Sequence, residues 1–120
     1  MARVLIVDDG PFMRNFIKSM LLEKGHEVAA EAENGQEAIE KFIELKPDLV
    51  TLDITMPVMD GLKALRVIKE YDPAAKVIMI SASGQEENVK EAIRNGATSF
   101  LMKPFTADTL HSVLEEVLNI

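Results

Sequence analysis

The sequence contains no cysteine and no tryptophan. The first absence excludes disulfides and thiolate metal sites, and it fits the cytosol. Basic residues are in the minority: 13 Lys and Arg stand against 20 Asp and Glu, a formal charge of -7. An acidic surface of that kind repels phosphate backbones, which argues against nucleic-acid binding and favours a partner with a basic face. No apolar run approaches the ~18 residues of a spanning helix, so no membrane insertion is expected. The short run Val4 to Val7, ahead of Asp8, is too brief for a signal peptide. Linkers, repeats and low-complexity segments are missing as well. The 120 residues suit one domain with a real core.

What is present is a set of short apolar runs alternating with helix-like segments. "RVLIV" is followed by "PFMRNFIKSMLLEK", in which Phe12, Phe16 and Met20 form one column and Met13, Ile17 and Leu21 a second. Pro11 suits a first helical position and Gly25 a helix stop. "EVAAEA" is a weaker strand. Asn34 and Glu37 have capping-box spacing ahead of a helix that Pro47 ends. "DLVTLD" is a second buried run, and Leu62, Leu65 and Ile68 mark the helix after it. "KVIMIS" follows, then a capping box at Ser83 and Glu86, an inner stripe of Val89, Ala92 and Ile93, and a stop at Gly96. "SFLMK" is the last strand. Leu110, Val113, Leu114, Val117 and Leu118 line the last helix. The pattern is (βα) repeated five times. Strands without polar alternation are buried on both faces, which predicts an α/β fold: a doubly wound parallel sheet with helices on each side.

In such sheets function gathers at the carboxyl ends of the strands. Asp8 and Asp9 stand there after strand one, Asp53 after strand three, Ser81 after strand four, and Lys103 with Pro104 after strand five. Adjacent carboxylates raise each other's pKa at a cost in free energy. If strands one and three are neighbours, three carboxylates share a pocket, and a hard divalent cation such as Mg²⁺ offsets that cost. Lys103 and Ser81 then offer a charge and a hydrogen bond to a phosphoryl oxygen. Asp53 is the better nucleophile, because Asp8 and Asp9 already make a pair suited to metal.

"VDD" at 7–9, "LDITMPVMDG" at 52–61, "ISA" at 80–82 and "KPF" at 103–105 come in this order, each closing a successive buried strand. On these motifs the chain resembles, from end to end, a response-regulator receiver domain of two-component systems. It is most similar to the stand-alone chemotaxis branch. The resemblance implies the strand order 2-1-3-4-5, a flavodoxin-like and CheY-like arrangement. It implies a single receiver domain over 1–120 with no output domain. By position, Asp53 becomes the phospho-acceptor. Asp8, Asp9, Asp53 and the backbone carbonyl of Thr55 become the Mg²⁺ site, with Mn²⁺ as a substitute and Asp8 acting through water. Ser81 and Lys103 become phosphoryl-binding groups, Phe100 the switch aromatic, and Lys103–Pro104 a cis peptide.

The resemblance also implies partners. These are a histidine kinase of the CheA type as phosphoryl donor, a phosphatase, and a protein target on the face of the fourth helix, fifth strand and fifth helix. That target would be the flagellar motor switch. The implied protein is a cytoplasmic monomer, a phospho-acceptor that catalyses only its own phosphoryl transfer and loss. A phosphorelay carrier, which passes the group onward, is the alternative within the family.

Plainer readings stand beside these. Asp8, Asp9 and Gly10 could cap a helix, Asp53 could serve a turn, Ser81 could pack at a strand end, and Lys103 could be a solvated turn residue. Phe100 could be core. His26 and His111 lack ligand spacing and read as surface, and the scattered methionines read as core filling. A hydrolase of the haloacid-dehalogenase type would need Asp-x-Asp on its first strand with the acidic pair late. Here the pair comes first and Thr55 stands where the second Asp belongs. A flavodoxin-like cofactor carrier would bring a phosphate against Asp8 and Asp9, which repel it.

Overall fold

The computed structural model describes residues 2–82 and 86–119. Its elements alternate as β1 (Arg3–Val7), α1 (Pro11–Glu23), β2 (Glu27–Ala32), α2 (Gly35–Leu45), β3 (Leu49–Asp53), α3 (Gly61–Tyr71), β4 (Val77–Ser81), α4 (Glu86–Arg94), β5 (Ser99–Met102) and α5 (Ala107–Leu118). The strands form one parallel sheet in the order β2-β1-β3-β4-β5, the expected doubly wound topology.

Successive side chains of a strand point to opposite faces, and here both faces are covered. Val4, Ile6, Leu49, Ile78 and Ile80 pack with Ile17 and Leu21 of α1 and Leu110 and Leu114 of α5. Leu5, Val7, Val50, Leu52, Val77 and Met79 pack with Phe42 of α2, Leu65 and Ile68 of α3 and Ala92 of α4. Each large side chain fully buried this way contributes roughly 1.5–3 kcal/mol. The apolar runs of β1 and β4, and of β3 around the buried Thr51, are therefore what a sheet with two packed faces requires.

Helix ends are set locally. Asn34 accepts from Glu37 N at 2.9 Å, and the Glu37 carboxylate reaches back to Glu33 N at 3.1 Å. The return bond thus closes one residue before the N-cap. Asp60 caps α3 and Thr106 caps α5. Gly25 turns the chain out of α1 at φ 84. The capping box expected at Ser83 lies outside the described residues.

Three expectations about burial need correction. Phe12 is 83% exposed; its neighbour Met13 in the same turn packs on the core, so Phe12 lies on the outward side of α1. Ile93 is exposed as well; only Val89 and Ala92 of its stripe are buried. His26 is not a surface residue. The Gly25 turn folds its ring under the start of β1, where Nδ1 accepts from Ala2 N at 3.0 Å. Burial, then the chain's amino terminus and His111, hold its pKa below the ordinary value. His111 is half-buried, with Nε2 3.3 Å from Glu115 Oε1.

Candidate functional site

β1 and β3 lie side by side with Val7 opposite Leu52. Asp8, Asp9 and Asp53 therefore leave adjacent strands at the same edge. One oxygen from each carboxylate lies within 4.8 Å of the others, with Asp8 and Asp53 buried and Asp9 exposed. At the next two strand ends, Lys103 N donates to Ser81 O at 2.8 Å. Lys103 Nζ donates to Asp8 Oδ2 at 3.1 Å and lies 3.6 Å from Asp53 Oδ1. One ammonium thus serves two buried carboxylates. Ser81 Oγ is fully buried and has no hydrogen-bond partner among the described residues. Leaving a buried hydroxyl unpaired costs about 1–3 kcal/mol.

The two neighbouring aspartates are placed very differently. Asp8 N donates to Ala32 O at 3.1 Å. Its Oδ1 accepts from Gly10 N at 2.8 Å, and its carbonyl accepts from Arg14 Nη1 at 2.7 Å. The carboxylate of Asp9 has no hydrogen bond or ion pair among the described residues. Neither residue caps α1. The N-cap is Gly10, and Asp8 turns back on Gly10 N instead.

Asp53 carries the electrostatic cost of the cluster. Burial first, and then the charge of Asp8, push its pKa up to about 6; Asp9 adds to the rise, while Lys103 and the Thr55 backbone N–H oppose it. This donor set fits a hard divalent ion. It offers carboxylate oxygens only, close enough to share one centre, and repelling one another when nothing lies between them. Asp8, Asp9 and Asp53 would hold such an ion.

The remaining expected residues fall around this cluster. Thr55 is exposed beside Asp53. Pro104 follows Lys103 through a cis peptide bond. Phe100 is not part of the cluster. It pairs with Met79 on the edge strand β5 and is 42% exposed, so it is not core.

Two residues of the site escaped sequence reasoning. A Cβ on Gly61 would lie 2.0 Å from Asp53 O, so only glycine lets α3 begin against that carbonyl. The signal was a glycine at the start of a helix, where few are needed. Arg14 left no comparable signal. It reaches the site through a main-chain carbonyl, which leaves no spacing pattern.

The comparisons agree with this geometry. The response regulator receiver domain family matches residues 4–115. The chain is 54% identical to the chemotaxis protein CheY of Bacillus subtilis (strain 168), over 98% of each chain. It is 56% identical to CheY of Listeria monocytogenes, over 97% of this chain and 98% of that one. Among solved structures, the CheX-CheY-BeF3-Mg²⁺ complex from Borrelia burgdorferi matches with a TM-score of 0.93 at 39% identity, covering 97% of this chain and 88% of that one. With the fold, the acidic cluster and the match over nearly its whole length in agreement, the chain belongs to the response-regulator receiver domains, among their CheY-like members.

Proposed function

We propose that Asp53 takes a phosphoryl group from a histidine kinase in an Mg²⁺-dependent reaction, and that a protein partner reads the change on the α4–β5–α5 face. The observation that carries this reading is the Lys103 ammonium shared by Asp8 and Asp53 beside the unpartnered hydroxyl of Ser81. In the transfer, an Asp53 carboxylate oxygen attacks phosphorus. An O–P bond forms, the P–N bond of the phosphohistidine breaks, and its electron pair leaves with the imidazole, which takes up a proton. Lys103 meets the phosphoryl oxygens with its charge, and Ser81 Oγ–H donates to one of them. Asp8, Asp9, Asp53 and the backbone carbonyl of Thr55 hold the ion. When bound, it supplies positive charge against the carboxylates and the phosphoryl oxygens.

The signal then becomes a packing change. A phosphoryl group adds roughly -1.5 to -2 charges. Ser81 moves toward it, space opens beside β5, and Phe100 turns inward from its exposed position. The partner gains only its differential affinity for the two states, about 1–3 kcal/mol. The chemotaxis relatives favour the flagellar motor switch as that partner. The Borrelia complex, CheX with CheY, supports further protein partners, among which we count a phosphatase. In this reading residues 1–120 act as one cytoplasmic, monomeric receiver domain. No helix among the described residues is long and apolar enough to cross a membrane.

Intact mass after incubation with Mg²⁺ and a small acyl phosphate tests the acceptor. The wild type should gain one phosphoryl group that hydroxylamine removes, and Asp53→Asn should gain none. A fully labelled Asp53→Asn overturns the assignment. Phe100→Ala should take the label normally yet lose the phosphorylation-dependent gain in partner affinity. Transfer of the label onto a histidine of a second protein would mark the relay alternative.

A further inference from the structure

We infer that Arg14 is a positioning residue for the acidic pair, fixing the direction in which Asp9 leaves the main chain. The inference rests on the reading of Asp8, Asp9 and Asp53 as a divalent-cation site. Arg14 lies in α1 with its side chain only 14% exposed. Its Nη1 donates to the carbonyl oxygen of Asp8 at 2.7 Å, a charge-assisted bond. That carbonyl belongs to the peptide unit joining Asp8 to Asp9. The unit is planar. A group that fixes the carbonyl direction therefore also fixes the nitrogen and Cα of Asp9.

The guanidinium is itself held. Nε donates to Glu31 Oε1 at 3.2 Å, and Nη2 lies 3.8 Å from Glu33 Oε1. Glu31 in turn faces Lys18 Nζ at 3.7 Å and accepts from Lys41 Nζ at its carbonyl. A rigid fork thus spans α1, the end of β1 and the end of β2.

Asp9 needs that fork more than its neighbours do. Asp8 is anchored through its amide, its carbonyl and both carboxylate oxygens. The carboxylate of Asp9 has no hydrogen bond or ion pair among the described residues, so it is placed only as well as its backbone is placed. Groups that orient metal ligands from behind typically change metal affinity by about 10–100-fold when removed.

Charge and positioning predict opposite signs. A guanidinium acting only by its charge would repel a nearby cation, and its removal would tighten binding. A guanidinium that orients Asp9 would, on removal, weaken binding. A mere staple between α1 and β2 would lower stability and leave Mg²⁺ affinity alone.

Calorimetric titration of Mg²⁺ into wild type, Arg14→Met, Arg14→Lys and Asp9→Asn separates these, with the metal-free Tm of each recorded alongside. Arg14→Met should bind Mg²⁺ about tenfold more weakly than wild type. Arg14→Lys keeps the charge but loses the fork, and should move in the same direction. Unchanged or tighter binding in the Arg14 variants, with Asp9→Asn weakened, overturns the inference and leaves the cation site standing. If Arg14→Met does not fold, Arg14→Lys alone decides by the same criterion. A wild type that takes up no Mg²⁺ overturns the cation site and this inference with it.

Discussion

The two ends of the sheet share the same strands, yet they settle their polar groups in opposite ways. At the amino end, charged and polar side chains close turns. Asp48 Oδ2 accepts from Arg3 N at 2.8 Å, and Arg3 Nη1 donates to Leu45 O at 3.0 Å. Lys69 Nζ donates to Pro73 O and Ala75 O, and Thr98 Oγ1 accepts from Val77 N. A cavity of about 420 Å³ opens there beside His26, Asp48 and Asp72. Each of those three side chains already accepts from a main-chain N–H: His26 from Ala2, Asp48 from Arg3 and Asp72 from Ala74. At the carboxyl end, three carboxylates crowd together, one lysine serves two of them, and a buried hydroxyl is left over. One end is arranged for stability, and the other holds unmet demand that a ligand can satisfy.

Glycine substitutions should break that comparison most strongly. At the carboxyl end, Gly61→Ala drives a methyl to 2.0 Å from the Asp53 carbonyl, a main-chain atom that cannot step aside cheaply. A loss of about 3–5 kcal/mol is expected, in the range reserved for severe backbone or packing conflicts. At the amino end, Gly25→Ala meets nothing within 4 Å and suffers only from its φ of 84. About 1 kcal/mol is expected there. Urea denaturation of both variants decides; equal losses would show that α3 can draw back from Asp53.

The next effect belongs to Asp53. Its folded pKa is about 6 against 3.8 unfolded, so the folded chain binds the extra proton between those values. Metal-free stability should therefore rise as pH falls through 6, with the penalty fully present above that pH. Asp53→Asn should stabilise the metal-free protein at pH 8 by up to about 3 kcal/mol. The advantage should fade toward pH 4. Chemical denaturation across that range measures it, and a gain that persists at pH 4 would assign the effect to something other than charge.

The smallest effect has the opposite slope. His26 has its pKa lowered from 6.5. As pH falls below that value, the unfolded chain takes up a proton that the folded chain resists, so stability declines with acid. His26→Gln should lose about 1 kcal/mol at pH 8 with the Ala2 bond weakened. It should also lose less on acidification than the wild type. An unchanged acid slope would show that His26 does not titrate across the transition.

The carboxyl end was largely legible in the sequence and the amino end was not. Asp8, Asp9 and Asp53 stand out because a buried apolar run ends in charge, a contrast visible without coordinates. Periodicity likewise gives the inner faces of α3 and α5, where Leu62, Leu65 and Ile68, or Leu110 and Leu114, are all buried. Periodicity says nothing of how far a face extends. Phe12 and Ile93 continue their stripes in sequence but face outward, while their neighbours Met13 and Ala92 pack on the core. His26 failed for another reason. A polar ring is buried when it accepts from one particular main-chain N–H, and that partner sits 24 residues away in the chain. Gly61 and Arg14 act through main-chain carbonyls, which carry no residue identity to read.

One feature of the site bears on time. Asp8, Asp53 and Ser81 form a closed floor, while Asp9 and Thr55 stand open to solvent. A phosphoryl group on Asp53 would rest between that floor and an open rim. Among the described residues, water would reach it from the rim side. The activated state would then carry its own expiry, and the rim side chains would set the rate at which the message fades. If Asp53 takes the phosphoryl group as proposed, an exchange at the exposed Thr55 would alter the rim and leave the buried floor as it is.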